Sequence, residues 1–550
     1  MLTNIYSIVN HRHFWLIVVS LAVLLRLSGL MFGLPLLLVA DEPSAIFGAL
    51  KMMELKTAIP ALHAQEFASV LYYPPYLSYL YLLPFTIVGS LMFLFSGQSL
   101  MVFTNLLIVD SSLFFIIARL FSMAASVASI ILIYQVARRL FATAPTWVSV
   151  LAAFFLAVSP TYLVLGSVAR HWAFIGLIVT ISLRLLVSDI KRKYFYALLV
   201  SGLGMGISTI AGIGVALTLL WLFLAEGQGA IIRAKEVTVG LVIFGFLAWL
   251  PNLLYPQSLG FVDDVSLFAG KSFAAAIFSA PQFLLTAGRA DIFLIILAAV
   301  GILFLIHDRR WFGWLMLIFT LFYSLLFYLA FHLETRFLTA LMPLFALAAT
   351  YAAWRLANLT RFKSFGRGLM IIVILLMLFS VARLTYLISQ DDTRALVYDW
   401  AQENIPVGSR VIVAGELLRL PITAETFIKL EALGPQVVRR ADRAEVELDR
   451  AGIDYGPAFQ ALNLYTFEPA VDQLTVKNWL QTEKPDYVII DDNSPWWPML
   501  APVLAEGEVL QVFAGSGEVW SYTASHLWGF PWTLWRFNHF GPDLKIIRLP

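Results

Sequence analysis

The sequence predicts a polytopic α-helical membrane protein. It should have about eleven transmembrane helices, interfacial helices beside them, and a small α/β soluble domain at the C-terminus. Three observations predict this. The 550 residues are 60% hydrophobic and only 13% charged, at a mean hydropathy of +0.82. Soluble domains carry about 25% charged residues. Apolar stretches of membrane-spanning length recur as far as residue 389. From there to Pro550, charges and turn residues return at ordinary density. Two parts are therefore expected: a transmembrane domain, 1–389, and an α/β domain, 390–550. The net charge of +2 implies no polyanion partner, so nucleic acid is not expected. Cysteine is absent, which excludes disulfides.

The first apolar run, 14–32, follows His11, Arg12 and His13. It passes signal-peptide length without a convincing small-residue cleavage site, and reads as a retained anchor. Basic residues mark cytoplasmic loops. The clusters are His11–His13, Arg138 with Arg139, Lys191–Lys193, Arg233 with Lys235, Arg309 with Arg310, and Arg361 through Arg367. With all of these inside, segment 14–32 exits. The pairs 146–163 and 170–189, 195–209 and 212–226, 236–254 and 287–306, and 312–331 and 337–355 then go out and return. Segment 368–388 exits last. Glycines 202, 204, 206 and 212 should allow close helix packing.

One conflict arises. Asp41 is outside and Arg138 inside, yet two apolar segments, 76–96 and 112–136, lie between them. The first contains Pro84 and follows "YYPPY". It is expected to lie along, or re-enter, the outer face. The N-terminus is then cytoplasmic, the C-terminal domain extracytoplasmic, and the plasma (inner) membrane the expected location. The outer face collects loop 33–75, the turn at 159–172, the loop 255–286 and the turn at 332–336.

Those outer segments hold the chemistry-bearing residues. "ADEPSAIFGALKMMELK" brings Asp41 and Glu42 to the end of an apolar run. The bland reading is a helix cap before Pro43, opening an amphipathic interfacial helix. The sharper reading is a partly desolvated carboxylate acting as general base. "SPTYLVLGSVARHWAF" brings Arg170, His171 and Trp172. They fit an interfacial anchor. Yet Arg170 stands on the outer side against the charge bias and needs a partner, such as an anionic ligand. "FHLETRFLTALMPLF" brings His332, Glu334 and Arg336. A spacing of two does not put Glu334 and Arg336 on one helical face, so Arg336 is expected to be open to phosphate. Arg26 lies within the first span, where an ionisable residue is a functional candidate and snorkelling the alternative. His63 and Glu66, with His171 and His332 on the same side, leave a divalent metal open. No motif of metal-ligand spacing supports one. The chain has no P-loop and no Gly-rich dinucleotide motif.

These residues resemble the GT-C class of membrane glycosyltransferases. The resemblance lies in the "DE" after the first span, "YPP" before an apolar helix, "ARLFSMAASVASIILIYQVARRLF", "LAVSPTYLVLGSVARHW" and a late "ETRFLTALMPLFALAA". It covers most of residues 14–390. It is nearest the group of protein O-mannosyltransferases and aminoarabinose transferases. The resemblance implies a sugar donor on polyprenyl phosphate, with its tail in the bilayer. It implies an acceptor hydroxyl, on lipid, glycan or protein, attacking the anomeric carbon with inversion on the outer face. Asp41 would be the base and Glu42 the second acid. Arg170, His171, His332, Arg336 and Tyr73 would contact the donor phosphate or sugar. Where the aminoarabinose branch has Glu-Lys, this chain has Tyr72-Tyr73. Where many relatives have Arg-Pro-Tyr, it has Arg170-His171-Trp172.

In the tail, "DTRALVYDWAQENIPVGSRVIVAG" reads as helix, turn and strand, with Asp392 or Thr393 as cap. "PDYVIIDDNSP" reads as a second strand, with Asp491 and Asp492 in a turn or at a site. Two other classes stand beside the transferase: a multi-span transporter of an anionic or lipid-linked substrate, and a non-catalytic scaffold. Polar residues on one face, and no inverted repeat, weigh against transport.

Overall fold

The computed structural model describes residues 14–256, 281–330, 334–358, 363–434, 437–467, 469–491, 493–516, 530–536 and 538–550. The basic residues at 11–13, most of loop 255–286, His332 and Asp492 lie outside these. Helices dominate as far as Ile388. They are α1 (Phe14–Leu27), α2 (Pro43–Leu55), α3 (Tyr76–Ser96), α4 (Leu100–Val109), α5 (Ser112–Leu140), α6 (Thr146–Ala157), α7 (Pro160–Ser167), α8 (Trp172–Leu186), α9 (Lys193–Met205), α10 (Ile213–Trp221), α11 (Ala234–Leu254), α12 (Ile292–Asp308), α13 (Arg310–Ala330), α14 (Met342–Asn358) and α15 (Lys363–Ile388). Among the described residues, seven segments are long and apolar enough to cross a membrane, or eight if the bent pair α6–α7 counts as one span.

Most of the helical bundle shares one apolar core, centred on α5, α6, α8, α12 and α14. The approach of α9 to α11 depends on a missing side chain. A Cβ on Gly202 would sit 3.1 Å from Leu247 and from the Phe244 backbone.

The expected span 146–163 is broken. Helix α6 stops at Ala157, and α7 restarts at Pro160 after a bend of 61°. Both orphaned helix ends find partners. Arg26 is fully buried and donates to the carbonyls of Ala157 and Tyr162, each at 3.4 Å, and to Ser126 Oγ at 2.8 Å. At the other end, Asp291 Oδ2 accepts from Thr161 N at 3.0 Å, opening α7. A cation at a helix C-terminus and a carboxylate at an N-terminus suit the helix dipoles. Gly166 makes room for this: a Cβ there would sit 2.9 Å from Arg26 Nε. Arg26 therefore braces the break, and neither snorkels nor lines an open path.

Helix α3 matches the apolar segment 76–96, and it is itself one of the seven segments long and apolar enough to cross, where the charge count expected it along the outer face. It packs against α2, where Ser78 Oγ donates to the Ala45 carbonyl at 2.8 Å and Gly89 lies against Met53. Its N-terminus is fastened by Tyr76 N to the Gly206 carbonyl at 3.0 Å.

Beyond residue 392 come α16 (Thr393–Asn404), β1 (Arg410–Ala414), α17 (Ala424–Leu433), α18 (Arg440–Arg450), β2 (Gln460–Asn463), α19 (Pro469–Glu483), β3 (Tyr487–Asp491), α20 (Trp497–Leu504), β4 (Glu508–Phe513) and β5 (Leu544–Arg548). The sheet order is β2-β1-β3-β5-β4. β1 runs parallel to β2 and β3, with Val411 opposite Tyr487, and β5 runs antiparallel to β3 and β4. The central strands β1 and β3 are buried on both faces, as their unbroken apolar runs require. Asp392 caps α16, accepting from Arg394 N at 2.9 Å. Asp491 accepts from Asn493 N at 2.8 Å, within a turn. This C-terminal part rests on the helices through α18 against α4, and through Trp535 stacked on Phe379 of α15 at 4.1 Å.

Candidate functional site

The stretch Gly33–Pro43 folds back from α1 to start α2, and the two adjacent acids point to different surroundings. Asp41 adopts a left-handed backbone, φ +61°, which Asp tolerates better than most residues. The expected side-chain cap is not formed: Glu42 occupies the cap position of α2 in helical conformation, with no side-chain capping bond. Pro43 supplies no N–H, and both carboxylates are engaged elsewhere.

Glu42 faces inward. Glu42 and Arg119 side chains are both 0% exposed, and the guanidinium donates two bonds to the carboxylate, at 2.7 and 2.6 Å. Arg119 Nη1 also donates to the carbonyls of Leu30 and Phe32, at 2.7 and 2.9 Å. Ala169 N donates to Glu42 Oε1 at 2.7 Å. One buried pair thus ties α5, the chain leaving α1, and the segment that ends at Arg170. Buried charges need this degree of pairing and hydrogen bonding to be tolerated.

Asp41 is left partly open to solvent. Its side chain is 38% exposed, and its Oδ2 accepts from Arg170 Nη2 at 2.6 Å. Tyr73 Oη donates to the same oxygen at 3.3 Å, and Arg336 Nη1 at 3.4 Å. Arg170 is 1% exposed. Its Nε and Nη1 are buried and make no hydrogen bond among the described residues. Burial pushes the Tyr73 phenol above its usual pKa, against the opposing pull of the Arg170 charge. Tyr73 therefore stays a donor.

His171 contacts Tyr73 and Trp172 with tilted rings, at separations of 4.7 and 4.4 Å. Arg336 lies 5.7 Å over the Trp172 ring. The expectation that Arg336 has no acidic neighbour of its own is overturned: its Nε pairs with Glu334. The spacing argument assumed an α-helix, whereas Glu334 is extended and Thr335–Ala340 is a 3-10 turn. The structure thus brings together Asp41, Tyr73, Arg170, His171 and Arg336. They come from three segments separated by more than a hundred residues at the widest. His332 lies outside the described residues. His63 and Glu66 pair with each other at 3.7 Å on the surface, and no group of three His, Asp or Glu among the described residues could hold a metal ion.

Arg119 is the residue that the sequence argument missed. Its signal was present: an arginine within a long apolar run, the same signal that singled out Arg26.

The fold and site define a polytopic helical membrane protein with a partly exposed carboxylate–arginine cluster. Neither a family model nor a curated protein matches this chain. Solved structures do resemble it. ArnT from Cupriavidus metallidurans, bound to undecaprenyl phosphate, is 12% identical with a TM-score of 0.47, covering 98% of each chain. The archaeal oligosaccharyltransferase AglB from Archaeoglobus fulgidus, in complex with an inhibitory peptide and a dolichol-phosphate, is 13% identical with a TM-score of 0.43. That match covers 92% of this chain and 74% of the other.

Proposed function

We propose that this protein is a membrane glycosyltransferase. It moves a sugar from a polyprenyl-phosphate donor to an acceptor hydroxyl on the extracytoplasmic face, with inversion. The observation that carries the reading is the half-used fork of Arg170. One nitrogen holds Asp41, while Nε and Nη1 sit buried with no hydrogen bond among the described residues. A planar guanidinium with two free donors suits a phosphate oxygen pair.

The chemistry divides accordingly. A phosphate leaving group departs with negative charge and needs cations more than a proton donor. Arg170 and Arg336 supply them, and Tyr73 and His171 wall the same space. The acceptor hydroxyl must lose a proton as it attacks, and Asp41 is the partly exposed carboxylate beside the arginines. When phosphate arrives, the two arginines exchange the carboxylate for it. Glu42 acts as a positioning residue, its oxygens saturated by Arg119 and Ala169 N. Arg26, spent on helix ends, gives no support to a transport path.

The proposed topology has about eleven crossings, with domain 390–550 outside and α3 along the outer face. The packing of α3 against α2, and of α4 against α18, supports that course. Because the chain has no cysteine, Gln98→Cys in intact cells should label from outside. The reaction itself is tested by presenting purified protein with a series of polyprenyl-phosphate sugars and resolving the products by mass. Donor-dependent uptake into liposomes without any sugar transfer would overturn the reading in favour of transport.

A further inference from the structure

A cavity of about 480 Å³ lies where the C-terminal part meets the helices. Its lining includes none of Asp41, Tyr73, Arg170, His171 and Arg336. Lys51, ten residues on from Asp41, lies about 15 Å further along α2 at helical rise. Four cations line the cavity: Lys51 from α2, and Arg439, Arg440 and Arg443 from the start of α18. Two carboxylates, Glu54 and Glu447, line it as well.

The acids are already taken. Glu54 is shared between Lys51 at 3.3 Å and Arg440 at 3.0 Å. Glu447 accepts from Asn105 Nδ2 at 2.8 Å. Nearby Asp442 and Glu445 are held by Arg419, at 2.8 and 2.6 Å. Arg443 reaches out to Glu431 at 2.8 Å. Arg439 lies 4.7 Å over the Tyr465 ring, and its Nη2 is buried without a hydrogen-bond partner among the described residues. Burial, and then the Arg419 charge, pull the Arg439 pKa below the usual arginine value. Four cations and two carboxylates therefore line an open-sided space, and one buried guanidinium donor is unused. Desolvated donors of this kind cost stability unless something accepts from them.

We propose that this cavity is a phosphate-binding site, holding a phosphate group between Arg439, Arg440 and Lys51. The volume admits a phosphate together with a small polar headgroup. The group arrives either on a lipid or free in solution.

The test uses the full chain in detergent, by isothermal titration. The probes are dioctanoyl phosphatidate, dioctanoylglycerol, which lacks the phosphate, and inorganic phosphate. Phosphatidate should bind and dioctanoylglycerol should not. Arg439→Gln and Arg440→Gln should each weaken binding by about tenfold, as loss of a charge-assisted bond implies. Binding of inorganic phosphate in competition supports the site and assigns it to a free anion. Binding of phosphatidate alone supports it and assigns a lipid headgroup. Equal binding of dioctanoylglycerol, no binding of either phosphate probe, or unchanged affinity in variants that keep the wild-type melting temperature would overturn the proposal. Arg170→Lys, which is expected to weaken phosphate binding beside Asp41, should bind phosphatidate as the wild type does. Loss of phosphatidate binding in that variant would place the phosphate beside Asp41 and overturn the proposal.

Discussion

Asp41 and Glu42 are neighbours in the chain, each bound to an arginine at 2.6 Å, yet the two pairs are opposites. The Glu42–Arg119 pair is sealed. Both side chains are buried, both carboxylate oxygens are bonded, and the guanidinium is further used by backbone carbonyls. The Asp41–Arg170 pair is open. The carboxylate is 38% exposed, and two guanidinium nitrogens are buried with no hydrogen bond among the described residues. A sealed pair can only hold structure in place. An open one can exchange its partner for a ligand. Bond length alone does not separate scaffold from site; the unspent hydrogen bonds do.

The contrast predicts opposite phenotypes. The largest effect belongs to Asp41→Asn, which removes the base but keeps a residue that tolerates the left-handed backbone. Transfer should fall by about 10²- to 10⁴-fold, with melting behaviour close to wild type. Glu42→Gln should do the reverse. Breaking a buried pair costs about 3–5 kcal/mol, read as a lowered unfolding midpoint in detergent. Adding Arg119→Met to Glu42→Gln should recover part of that loss, because the uncompensated buried charge goes with it. A double variant no more stable than Glu42→Gln alone would break the scaffold half of the comparison. Arg170→Lys comes next. The fork is lost while the charge remains, so donor affinity should drop by about tenfold, measured by titration with a polyprenyl phosphate.

The smallest effect calibrates the scale. Arg410 and Asp486 also meet at 2.6 Å, but their side chains are 38% and 40% exposed. Removing that pair by Asp486→Asn should cost no more than about 1 kcal/mol. The hydrogen bond from Arg410 holds the Asp486 pKa below the ordinary carboxylate value. Its stabilisation is therefore complete above that ordinary value. It fades as pH falls through the lower folded-state value. Acid unfolding curves of wild type and Asp486→Asn should converge only at low pH.

Much of the helical plan was legible because apolar length is a strong signal. Segment 76–96 matches α3 to the residue, and α16, β1 and β3 follow from their apolar patterns and the Asp392 cap. The break after Ala157 was missed although the sequence marks it: Ser159 caps α7, accepting from Tyr162 N at 3.1 Å, and Pro160 opens the helix. What could not be read is the brace, because Arg26 and Asp291 come from far away in sequence. The site was partly legible. Asp41, Arg170 and Arg336 stand out as charges at the ends of apolar runs, and the charge-based topology put them on one face. Which acid would stay open was given only by the family resemblance, since from the residues alone it depends on Asp41 taking a positive φ and on Arg119 holding Glu42 in the interior. The Glu334–Arg336 pair was hidden by the assumption of helical geometry.

The central claim is that Asp41 deprotonates the acceptor while the arginines hold the donor phosphate. It is tested most directly by measuring donor binding and sugar transfer on the same preparation of Asp41→Asn. The variant is expected still to bind a polyprenyl-phosphate sugar, yet to form product at no more than about a hundredth of the wild-type rate. Wild-type transfer by a folded Asp41→Asn protein would contradict Asp41 as the base.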